Sequence, residues 1–147
     1  MEPLWHALSE HHAAFAASVA PVRSPEESWT RRRREYVAWL SDSSATLFMA
    51  EDVAPLGYLM LRIAHGPPTW DIGDRVAEVE TLSVVAAARD RGVGTLLMAA
   101  ARREARERGA AMLSVALVHS NVGARRFYER EGFRPFYLSM LLPLEEQ

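Results

Sequence analysis

The sequence contains no cysteine, which excludes disulfides, thiolate metal ligands and a cysteine nucleophile and fits a reducing compartment. It has no uninterrupted apolar run of the roughly eighteen residues that a membrane helix needs. Its opening residues, Met1, Glu2, Pro3 and Leu4, lack the charged start of a secretory leader. The expectation is a cytoplasmic protein with no membrane partner. Charge of one sign is also lacking: 17 basic and 19 acidic side chains leave a net −2, so no global field draws the chain to nucleic acid. Repeats, low-complexity tracts and interdomain linkers are absent too. Residues 1–147 read as one domain, long enough to bury about 68–70% of the surface its unfolded chain exposes.

What is present is an ordered alternation of elements. Leu4, Leu8, His11 or His12, and Phe15 recur at helical spacing and predict a helix over 4–18, ending before Pro21. His6, His11 and His12 have no acidic or sulfur company, so they read as surface or partly packed side chains and not as a metal site. Ser24, Pro25 and Glu27 form an N-cap, a first-position proline and a capping-box glutamate, which predict a second helix over 25–40. The basic run 31–34 lies inside that helix, with Glu27 and Glu35 four residues either side of Arg31. That is the spacing of solvated ion pairs, the alternative being a docking patch for an acidic partner.

Residues 45–50 and 56–64 predict a β-hairpin. The irregular stretch 66–74, which carries Trp70, Asp71 and Asp74, is either a binding loop or a connector. A β-branched run over 76–85 predicts the next strand, and 111–118 another. Between these strands, Val93, Leu96, Leu97, Ala100 and Ala101 form the apolar stripe of a helix that Gly109 ends. Asn121 caps a fourth helix, stopped by Gly132, and 133–142 predicts a last strand pair or a bent strand.

The stretch 89–95 joins strand to helix through Arg89, Asp90, Arg91, Gly92, Val93, Gly94 and Thr95. Two glycines at the mouth of a helix let backbone N–H groups point outward around an anion. Each hydrogen bond to a charged group contributes about 1.5–3 kcal/mol, against roughly 0.3–1 kcal/mol for the helix dipole. Converging amides therefore dominate, and phosphate is the natural ligand. A P-loop would need Lys-Ser or Lys-Thr after the glycines, where Thr95 and Leu96 stand. A Rossmann fingerprint would need a small residue where Leu97 stands.

With Leu82 and Val84 before that turn, and Asn121, Ala124, Phe127, Tyr128, Glu129, Gly132 and Phe133 after it, the span 78–136 closely resembles the GCN5-related N-acetyltransferase (GNAT) family. The resemblance implies an α/β (α+β) fold: a mixed, mostly antiparallel central sheet flanked by helices, with two splayed parallel central strands, here 76–85 and 111–118. It implies acetyl-coenzyme A in the splay, its pyrophosphate on Gly92, Val93, Gly94 and Thr95 with Arg89 and Arg91 alongside. The pantetheine arm would lie on the main chain of Leu82, Ser83, Val84 and Val85 and touch Asn121. Family members commonly begin with a strand, for which residues 1–3 are too few, so the first edge strand is expected to be missing, or filled by another chain in a homodimer.

The implied reaction is direct acetyl transfer to a primary amine of a small molecule or a peptide N-terminus, with no metal. A free alkylamine has a pKa near 10.4, so its proton must be removed before attack. Glu80 stands where many family members keep a strand carboxylate and is the candidate base, unless it merely pairs with a neighbour or binds a cationic substrate. Glu78 is the reserve, and His119 a weaker third. The position some relatives use on the next strand holds Ala116. Tyr128 matches the family tyrosine that protonates the departing thiolate, the plainer reading being an aromatic packed beside Phe127 and Phe133. A backbone N–H near Val84 or Val85 would receive the oxyanion. The acidic residues Asp71, Asp74, Glu78 and Glu80 tilt the acceptor toward a cation. The competing function is a coenzyme A-binding module without turnover.

Overall fold

A computed structural model describes residues 1–16 and 20–144. The elements run α1 (Glu2–Ala16), α2 (Pro25–Ser41), β1 (Ala45–Glu51), β2 (Pro55–His65), β3 (Arg75–Val84), a 3₁₀ turn (Ala86–Ala88), α3 (Val93–Glu107), β4 (Met112–Val115) and α4 (Val122–Arg130). The expected extension of the first helix to residue 18 lies outside the described residues. The cap foreseen at Ser24 forms, its hydroxyl accepting from the Glu27 amide at 3.2 Å with Pro25 opening the helix.

The four strands make one sheet in the order β1-β2-β3-β4, antiparallel through the first three and parallel between β3 and β4. β2 is buried on both faces, and its alternation divides the core. Leu59 and Leu61 pack with Ala77, Val79, Leu97, Met98, Ala101 and Tyr128 on the side of α3 and α4. Tyr58 and Met60 pack with Leu4, Trp5, Trp29 and Tyr36 on the side of α1 and α2. Truncating Leu59 or Leu61 to alanine would cost about 2–5 kcal/mol, because neither layer can collapse into the gap.

Two sequence expectations need correction. The strand expected over 111–118 pairs only from Met112 to Val115, because the chain then leaves β3 and turns toward α4. The strands expected over 133–142 do not form: residues 133–144 carry no regular secondary structure. Their apolar run over 136–142 is β-prone, but a strand exists only by pairing, and among the described residues this segment pairs with none. No strand precedes α1 among the described residues, and β1 is the edge there.

Candidate functional site

The site grows from one irregularity. Met60 pairs with Thr81 and Leu61 with Val79, so Glu80 is an extra residue in β3, a β-bulge. At the same level the parallel ladder stops, its last pair being Val79 and Val115. Beyond Glu80, β3 runs on to Val84 with its β4 edge bare. The Val85 amide donates to the Leu56 carbonyl at 2.8 Å, and a Cβ on Gly57 would stand 2.6 Å from the Ser83 carbonyl oxygen, so Ser83 and Val85 face β2. Strand alternation then turns the main-chain groups of Leu82 and Val84 into the gap. The Arg89 Nε reaches the Val84 carbonyl from that side at 3.2 Å.

The gap leads to the glycine turn. Asp90 (φ 59°) and Gly92 (φ 82°) take left-handed backbone, and Gly92 caps α3 without a side chain. The first helical bond runs from the Leu96 amide to the Gly92 carbonyl at 2.9 Å, which leaves the amides of Val93, Gly94 and Thr95 without helical partners. Arg91 is exposed beside them. The two glycines differ in purpose: a Cβ on Gly92 would meet nothing within 4 Å, whereas one on Gly94 would stand 3.1 Å from the Phe127 ring. Gly94 is therefore required by the packing of α3 against α4, and Gly92 by its φ. The Thr95 hydroxyl is spent on Glu131 at 2.8 Å, leaving its amide as the group that can meet an anion.

Asn121 is buried and its Oδ1 accepts the Ala124 amide at 3.0 Å, capping α4. Among the described residues its Nδ2 makes no hydrogen bond. Tyr128 packs between Phe127 and Phe133, with ring centroids 5.1 and 5.4 Å away, and burial pushes its phenol up to about 12. The packed reading of Tyr128 is thus what the contacts show, and the phenol stays protonated at neutral pH. His119 is exposed in the turn before α4.

Glu80 is not a free carboxylate. The Arg62 guanidinium donates from Nε to Glu80 Oε1 and from its second arm to Glu78 Oε2, each at 2.6 Å. Arg32 approaches Glu80 Oε2 at 3.8 Å. Arg62 also lies over the Trp39 ring at 5.0 Å, and Arg32 over Trp5 at 5.3 Å. Burial raises the Glu78 carboxyl above its usual range despite Arg62, while the hydrogen bond that Arg62 donates to Glu80 raises the guanidinium. Arg31 pairs with Glu27 at 3.0 Å as its spacing foretold, but Arg32 turns inward, so the basic run is not a uniformly solvated face.

One further expectation narrows and another fails. The Val85 amide is taken by Leu56, so of the two amides named for an oxyanion Val84 is the one left facing the gap. The 66–74 loop borders an open hollow of about 590 Å³ lined by His65, Pro67, Pro68, Trp70, Asp71 and Asp74, but at the start of β3. Six residues of strand put Asp74 about 20 Å from Glu80. Asp71 and Asp74 therefore do not join Glu78 and Glu80. The missed residues are Arg62 and Arg32; a lone arginine amid the apolar residues of β2 was the available signal. Among the described residues no cluster of histidine, aspartate and glutamate could hold a metal ion.

Comparison with known proteins identifies the family and the fold. The sequence model of the acetyltransferase (GNAT) family matches residues 5–133, and the chain belongs to that family. A Pyrococcus furiosus protein is similar in structure (TM-score 0.75, 26% identity, covering 97% of this chain and 93% of that one). So is an aminoglycoside 6′-N-acetyltransferase from Acinetobacter haemolyticus (TM-score 0.70, 16% identity, 96% and 94%). The aminoglycoside N-acetyltransferase AAC(6′)-Iy, solved in complex with coenzyme A, has a TM-score of 0.63 at 18% identity over 81% of this chain and 95% of that one. The sequence matches none of the curated proteins. The chain is an acetyltransferase of the GNAT fold, and no helix among its described residues is long and apolar enough to cross a membrane.

Proposed function

We propose that this chain transfers the acetyl group of acetyl-coenzyme A to a primary amine of a small molecule or peptide N-terminus. The observation that carries the reading is the bare β3 edge at Leu82 and Val84, continuous with the unpaired amides of Val93, Gly94 and Thr95. An extended amide-bearing arm can add to that edge as a strand does, while its pyrophosphate meets the helix N-terminus. Arg89 and Arg91 flank the phosphates, and Asn121 Nδ2 is the donor toward the arm.

In the proposed reaction the neutral amine attacks the thioester carbonyl, the C–S bond breaks, and Tyr128 gives its proton to the departing thiolate. The Val84 amide is the donor for the developing oxyanion. The proton lost by the attacking nitrogen passes to Glu80 through Oε2 or a water upon it, since Oε1 is engaged by Arg62, and the Tyr128 phenolate regains a proton from solvent. With the two carboxylates of Glu78 and Glu80 matched by the two cations Arg62 and Arg32, and Asp71 and Asp74 distant, the acidic side chains no longer favour a cationic acceptor.

Calorimetric titration with coenzyme A, followed by thiol release from acetyl-coenzyme A across a panel of amines, tests this. Binding and turnover of at least one amine is the expected outcome; a chain that binds no coenzyme A overturns it. The clamp on Glu80 favours a second reading, a coenzyme A-binding module, and tight binding without turnover on any amine would select it.

A further inference from the structure

We propose that Arg62 is a positioning residue that holds the β3 bulge, and with it the bare edge beyond, in the shape acetyl-coenzyme A requires. The inference rests on the reading of that edge as the coenzyme site. A strand that loses a neighbour normally frays, since half its main-chain groups have no partner. Here the segment after Val79 loses β4 yet stays extended to Val84. Its side chains are fastened to the other layers instead. Glu80 is held by Arg62 from β2 and Arg32 from α2. The Thr81 hydroxyl meets the Tyr36 hydroxyl in a buried contact with α2. Ser83 donates to the Leu4 carbonyl of α1 at 3.0 Å.

Among these ties Arg62 alone spans the bulge. Glu78 precedes the extra residue and is in register with Arg62, while Glu80 is the extra residue itself. Two carboxylates on one face repel unless a cation lies between them. The planar guanidinium binds one with Nε and the other with a terminal nitrogen, a fork that a lysine ammonium does not reproduce. Trp39 lies against that plane and fixes its direction. Arg62 bonds the carboxylates of Glu78 and Glu80 in β3, so it acts on the edge beyond through the strand.

The test compares Arg62→Met, which removes the fork, with Arg62→Lys, which keeps the charge. If Arg62 positions the edge, the acetyl-coenzyme A KM rises about tenfold in Arg62→Met and partly recovers in Arg62→Lys, with kcat changing less than KM. A KM within about twofold of wild type in a folded Arg62→Met chain overturns the inference. Amide hydrogen exchange on the free proteins separates this from the reading it rests on. Faster exchange, by about tenfold, confined to residues 80–84 of the variants supports the clamp even if wild type binds no coenzyme A. Unchanged exchange there refutes the clamp even if wild type binds tightly. Should Arg62→Met fail to fold, Arg62→Lys carries both readouts.

Discussion

At the scale of single residues, Tyr128 offers the sharpest division between chemistry and packing. If it donates the thiolate's proton, Tyr128→Phe lowers kcat by roughly 10²–10⁴-fold while thermal stability changes little, because the rings of Phe127 and Phe133 still have their partner. Steady-state rates beside a melting curve decide, and a near-normal kcat leaves only the packing role. The same phenol predicts a pH dependence. Its pKa is about 12 in the fold and near 10 in an unfolded chain. The unfolded chain therefore loses the proton first. The associated stability is whole below about pH 10 and disappears as pH rises toward about 12. Tyr36 and Tyr58, also raised by burial, act in the same direction. Tyr128→Phe should make the alkaline decline shallower without abolishing it, as unfolding measured across that range would show.

Gly94 carries a second prediction at this scale. A methyl there would press on the Phe127 ring at 3.1 Å, so Gly94→Ala should destabilise by about 1–3 kcal/mol, the cost of overpacking. A chain with unchanged unfolding free energy would show that Phe127 yields. Residues 89–95 named the two glycines without distinguishing them, because one reason is a local φ and the other is contact with a helix more than thirty residues away. Arg62 was hidden for a similar cause. Its partners Glu78 and Glu80 are set by hairpin register, and a bulge shifts that register by one.

At the scale of elements, signals confined to a few adjacent residues held. The Ser24 cap, the Asn121 cap and the left-handed glycines Gly109 and Gly132 end or begin helices as their types demand. Strands were less legible, since a strand exists only by pairing: β4 is half the length of its β-prone stretch, and 133–142 pairs with nothing described. Asn121 lets the two roles of one element be separated. Asn121→Asp keeps the oxygen that caps α4, and aspartate caps as well as asparagine, but it removes the Nδ2 donor. We expect unchanged thermal stability with a rise in the acetyl-coenzyme A KM of roughly threefold to tenfold, the worth of one hydrogen bond. Asn121→Ala should lose stability as well, by about 0.5–2 kcal/mol. Equal KM values in the two variants and wild type would remove Asn121 from the coenzyme site.

At the scale of the whole molecule the unresolved balance is apolar surface. Seven large apolar side chains between Phe136 and Leu144 are exposed, with Met140, Leu142 and Leu144 at 85%, 82% and 87%. Together they amount to something on the order of 1,000 Å². Monomers rarely leave so much apolar surface exposed on one segment, and the area is comparable with the ~800 Å² per partner of a stable interface. The same chain carries an unpaired outer edge on β4, where Met112 is half exposed. An open edge and an unpaired β-prone segment in one molecule are complementary, so two copies can each supply the other's missing strand, an exchange that closes with twofold symmetry. We therefore expect a homodimer whose sedimentation is concentration dependent. Leu138→Asp combined with Leu142→Asp should shift it to monomer while leaving the helical and sheet signal intact. A wild-type chain that sediments as a monomer at every concentration would instead mean that the segment folds back on its own β4 edge.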